Sequence, residues 1–204
     1  MILSFSILAS LFIFQPPAKP KPAKEWLWLF TLRDADPHVV AEWDKLRAAA
    51  PALAAEFEAI MADPACNVRH LTGLYGLLGV AKVDHKPLLK LALGHLNHAD
   101  AHVRYSAAIF VGNAGGGPEF AAPLMMLMLY DPDVDVSIAA RGALGKVGDA
   151  STVVALEHLI RFGTGRPDTP PRNKELAAAF GDTRDQIKAR LAAAAAKPAP
   201  APPK

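Results

Sequence analysis

The residues best suited to chemistry are His95, His98, Asp100 and His102, spaced H-x2-H-x-D-x-H. Imidazole and carboxylate ligands at such spacings can hold a transition metal. The segment, however, runs from the end of one helical pattern through a turn into the next, so its imidazoles are expected to diverge. The spacing therefore predicts solvated turn histidines and no metal. Cys66 is the single cysteine, which excludes an intramolecular disulfide and any cysteine-based metal site made by this chain alone. It sits in Asp63-Pro64-Ala65-Cys66-Asn67 as a small residue of a first helical turn, without the cationic neighbours of a reactive thiol. Gly112-Asn113-Ala114-Gly115-Gly116-Gly117 is glycine-rich, but it joins two helical patterns and follows no strand, which argues against a phosphate cradle. No nucleophile elbow, phosphate loop or paired-carboxylate pattern occurs elsewhere. The expectation is no catalytic residue, no cofactor and no enzyme.

The elements that position these residues form a repeat. Gly79, Gly112 and Gly145 fall on an even 33-residue ruler. Four acidic turns begin at Asp34, Asp63, His98 and Asp131, and in each a valine follows five positions later. Asp36, Asn67, Asp100 and Asp133 or Asp135 can accept hydrogen bonds from the free N–H groups of a starting helix. The helices that follow are predicted over Val68–Gly79, Val103–Gly112 and Val136–Gly145. A glycine at each end is expected to turn the chain through positive φ into a leucine-rich second helix. These second helices are Lys86–His95, Phe120–Tyr130 and Ser151–Arg161. Pro37–Ala49 with Pro51–Met61, and Asn173–Phe180 with Thr183–Ala196, read as further hairpins before and after them. Units of this length cannot bury their apolar faces alone and must stack on neighbours. The predicted fold is all-α, an α-solenoid of antiparallel helix pairs with about four to five repeats.

Val136, Ala139-Ala140 and Ala143-Leu144-Gly145-Lys146-Val147-Gly148-Asp149 resemble the HEAT-repeat pattern in its short bacterial form. Val103-Arg104, Ala107-Ala108 and Val111-Gly112 are similar but lack the final aspartate. The resemblance covers Asp34–Arg161 well and Asn173–Ala196 loosely, departing at the short first pair and at Gly115-Gly116-Gly117. It implies a surface built for contact. Some HEAT-like proteins are enzymes, yet the repeated His-Glu dipeptides of deoxyhypusine hydroxylases are absent here. So is the basic aromatic groove of helical-repeat DNA glycosylases, and nothing marks the bilin chemistry of the bilin lyases. Arg69, Arg104 and Arg141 recur once per repeat and are expected to bond between neighbouring units.

The ends of the chain differ from its middle. Residues 1–14 (MILSFSILASLFIF) form an apolar run, shorter than the roughly 20 residues that span a bilayer. They suit the core of a signal peptide or an anchor, or else a hydrophobic arm laid on the domain. Residues 15–24 read as a Pro/Lys linker, 25–196 as the repeat domain, and 197–204 as a Pro/Ala tail. Residues 1–30, with Trp26 and Trp28, could contact a membrane, or the tryptophans could cover a solenoid end. Export or membrane tethering is the expectation, with a cytoplasmic protein as the alternative. Among 204 residues, Lys+Arg number 22 against 20 Asp+Glu, a net charge of +2 that excludes a strong electrostatic grip on nucleic acid.

The expected partner is a protein or peptide held on the second helices, which usually line the inner surface of such stacks. Glu157, His158 and Arg161 form a polar column on the last of them. On the ruler, that column becomes Leu124, Met125 and Met128 in the middle repeat, and Leu91, Ala92 and His95 in the first. Two readings stay open: an exposed apolar patch for a partner, or a buried central helix.

Overall fold

The computed structural model describes residues 20–32, 37–83, 86–162 and 170–196. Among them every regular element is a helix. A 3-10 helix over Ala23–Thr31 precedes α1 (Pro37–Ala49), α2 (Ala54–Met61), α3 (Val68–Val80), α4 (Lys86–His95) and α5 (Ala101–Asn113). A short 3-10 turn at Pro118–Phe120 then leads into α6 (Ala121–Tyr130), α7 (Val134–Val147), α8 (Ala150–Phe162) and α9 (Pro170–Ala195).

The acidic turns start helices as their chemistry demands. Asn67 Oδ1 accepts from the Arg69 N–H at 2.8 Å. Asp100 accepts from the N–H groups of His102 and Val103, and Asp133 from those of Asp135 and Val136. Asp34 and Asp36 lie outside the described residues. Asp149 bonds the N–H and hydroxyl of Thr152 and the Ser151 hydroxyl at the start of α8. Those bonds hold its carboxyl down at about 2.

The first helices stack in the order of the ruler, but each second helix packs mainly on the helix after it and not on the expected pair partner before it. α3 lies against α5, α5 against α7 and α7 against α9, while α4, α6 and α8 each pack on the helix that follows them. The glycines of the ruler are not positive-φ turns, as expected from their spacing, but sit inside α3, α5 and α7. Among the described residues positive φ occurs only at Lys82 and Gly115. Close packing accounts for Gly112 and Gly145, whereas a Cβ on Gly79 would make only ordinary contact, 3.5 Å from the Asn113 side chain. A Cβ on Gly112 would lie 2.9 Å from the Ala143 Cα, and one on Gly145 would collide with the Gln186 carboxamide. Lys146 adds a rung one full period long, donating to the Asn113 side-chain oxygen at 2.7 Å.

Two expected details change. The last pair of helices is one continuous α9, not a hairpin broken at Gly181-Asp182. Phe180, Thr183 and Ile187 form a single buried stripe at helical spacing across that dipeptide, so unbroken helix buries more than a turn would. Arg190 also donates to the Gly148 carbonyl and fixes the far half of α9. At the other end, Trp26 and Leu29 are buried where the 3-10 helix rests on α1, α2 and α3. Phe30 meets Trp43 edge-to-face at 5.0 Å, whereas Trp28 remains exposed.

Candidate functional site

The polar column appears where it was expected: Glu157, His158 and Arg161 are all exposed on α8. Lys188 reaches across from α9 to Glu157 at 2.6 Å. The middle of the proposed surface does not form. Leu124 is fully buried and Met128 nearly so, while Met125 and Leu91 are half-buried. The cause is a change of register. The ruler holds for the first helices, but Gly115-Gly116-Gly117 pushes the middle second helix three residues along it. Leu124 and Met128 therefore occupy the places of buried Leu88 and Ala92, not those of Leu91 and His95. Met126, one residue from the expected column, faces outward at 57% exposure, in line with exposed Ala122 and Tyr130.

His95 has a structural partner. Tyr75, buried in α3, places its Oη 2.7 Å from His95 Nδ1. Burial pushes the Tyr75 phenol up, so it stays protonated and donates to the imidazole. Burial, followed by the nearby His98, pulls the His95 pKa down. His98 Nδ1 accepts from the Asp100 N–H at 3.0 Å, and Asp100 in turn caps α5. His98 and Asp100 thus serve the start of α5, and no three His, Cys, Asp or Glu side chains among the described residues are placed to hold a metal.

Arg104 carries out the expected bonding between units. Its Nε and Nη2 donate to both oxygens of Asp131 at 2.7 and 2.8 Å, and its Nη1 donates to the carbonyls of His98 and Ala99. One guanidinium therefore ties the turn before α5 to the turn before α7. Burial raises the Asp131 pKa, but the Arg104 bonds and the Asp133 N–H outweigh it and hold the carboxyl below its ordinary range. Cys66 lines a groove of about 590 Å³ with Leu27, Ile60 and His70. Burial first, then the Asp63 charge, raises its pKa, so the thiol stays protonated.

Large apolar side chains are also exposed on the described surface. Val134 and Ile138 stand one turn apart on α7 and are 69% and 51% exposed. With Leu129 and Pro132 they line a groove of about 350 Å³ between the α6–α7 turn and α9, with Arg141 and Glu175 on its walls. Neither valine nor isoleucine was picked out from sequence. The available signal was phase: each stands two residues before a side chain that points into the core, Val136 and Ala140. Chemically the groove can bury apolar side chains and offer one charge of each sign. No family model matches the chain, and no curated protein matches it.

Proposed function

We propose that this chain is a non-enzymatic protein–protein interaction scaffold, a short HEAT-like α-solenoid that holds a protein or peptide partner on its surface. The observation that carries the reading is the α6–α7 groove, where Val134 and Ile138 remain exposed beside a well-buried core. Large apolar side chains left in water on a contiguous wall are a common mark of contact surfaces. The helix caps, the Arg104 clamp and the Tyr75–His95 pair already account for the polar groups that could otherwise suggest catalysis. A Val134→Glu/Ile138→Glu variant is expected to keep its helical signal and lose the protein that the parent chain captures from its own cell extract. Capture of the same protein by both would sink this surface as the binding face.

An accessory or structural subunit of a membrane-associated complex is the second reading. Exposed Trp28 and Leu32, near the start of the described residues, favour it. No helix among the described residues is long and apolar enough to cross a membrane; in this reading attachment is through residues 1–30. Cell fractionation tests this: the chain should move from the membrane to the supernatant on deletion of residues 1–14.

A further inference from the structure

The ruler breaks at Gly115-Gly116-Gly117, and the break opens a slot. About 470 Å³ of space lies between α4 and this loop, floored by Leu89, Leu93 and Phe120. Lys86 and Lys90 stand one turn apart on its rim, both exposed. Neither forms an ion pair with a described residue, whereas Lys45, Lys146 and Lys188 all engage side-chain oxygens. The one acid on the lining, Glu119, folds its carboxylate back over Gly117. Beside it, Gly115 presents bare backbone: its φ is +72°, and a Cβ placed on it would meet nothing within 4 Å.

We propose that this slot seats an acidic amphipathic helix from a protein partner. Two leucines and two lysines repeat along α4 at the pitch of one helical turn. A facing helix with apolar residues on one stripe and carboxylates one turn apart on its flank meets both sets at once. Bare Gly115 lets its backbone approach closely. The open geometry favours a peptide over a long-chain carboxylate, because small-molecule sites enclose roughly 70–90% of their ligand. The inference rests on the scaffold reading in taking a protein segment as ligand, but it uses a different surface from the α6–α7 groove.

The test uses the full chain and two fluorescein-labelled helical peptides with the same leucine stripe, one flanked by glutamates and the other by lysines. Fluorescence anisotropy should show the acidic peptide binding about tenfold more tightly than the basic one, with the preference shrinking as salt rises. A Lys86→Glu/Lys90→Glu variant, checked for unchanged helical signal, should invert that preference. A Val134→Glu/Ile138→Glu variant should leave it intact. Equal binding of the two peptides, or an acidic preference surviving charge reversal, overturns the proposal. So does lysine-dependent binding to phosphatidylglycerol vesicles with no binding of either peptide. If the α6–α7 variant captures its partner unchanged while the peptide preference holds, the scaffold surface fails and the slot stands. The reverse result sinks the slot alone.

Discussion

Two buried polar contacts carry much of what individual residues contribute, and both are testable. His95 accepts from Tyr75 only while its imidazole is neutral. Its pKa in the fold lies below the ordinary value of 6.5, so the unfolded chain binds a proton more readily. That contribution to stability is fully present above the unfolded pKa and is lost as pH falls from about 6.5 through the folded pKa. His95→Gln, which keeps an acceptor without titrating, should flatten this part of the melting-temperature profile between about pH 7.5 and 5. A profile as steep as the parent's would assign the loss to other groups. Asp131 contributes in the same direction, but in the carboxylate range. With its pKa depressed by Arg104, its contribution is present above the ordinary carboxylate range and is lost in acid as pH falls through the folded value. Asp131→Ala leaves a largely buried guanidinium without its counter-charge, and urea unfolding should show a loss of about 3 kcal/mol. A loss below about 1 kcal/mol would mean that the two carbonyl acceptors suffice for Arg104.

At the scale of elements, the glycines separate two jobs that look alike in sequence. Gly112 and Gly142 both lie inside helices, yet a Cβ on the first meets the Ala143 backbone and on the second meets open space. Gly112→Ala must therefore push α5 from α7 and is expected to cost about 1–3 kcal/mol. Gly142→Ala removes a flexible residue from an exposed helix interior and should stabilise by about 0.5–1 kcal/mol. Urea unfolding of both variants measures the contrast, and equal signs would contradict close packing as the reason for Gly112. The helices themselves were legible because caps and apolar periodicity are local signals. α1 (Pro37–Ala49) and α4 (Lys86–His95) have the expected bounds. The continuity of α9 was not legible, because Gly181-Asp182 mimics the Gly148-Asp149 turn and only the buried stripe through Thr183 decides against a break. The site was read less well for a related reason. Column reading assumes one register for both helices of every unit, but buried Leu88, Leu124 and Leu156 lie 36 and 32 residues apart, so α6 and α8 are both shifted from the ruler. Burial of Leu124 and Met128 depends on that shift, which a fixed period cannot show.

Across the whole molecule, apolar burial is continuous from Ala23 to Ile187 but unevenly supported. α5 lies between α3 and α7 and also receives α4; α7 lies between α5 and α9 and also receives α6. α8 packs mainly on α9, and its Val154 and Phe162 remain exposed. If each unit is held mainly by its neighbours, opening from either end costs less than opening the middle. Amide exchange should then be slowest in the buried stretches of α5 and α7, Val103–Val111 and Val136–Val147. α1 and α8 should exchange about a hundredfold faster, as sub-global opening some 3 kcal/mol below the global cost would give. The clamp between Arg104 and Asp131 sharpens this expectation, because it joins the start of α5 to the start of α7 and makes the two helices open together. Asp131→Ala should therefore speed exchange in both helices by a similar factor while leaving α1 almost unchanged. Acceleration confined to α7, or spread equally over every helix, would show respectively that the clamp couples nothing or that the molecule opens only as a single unit.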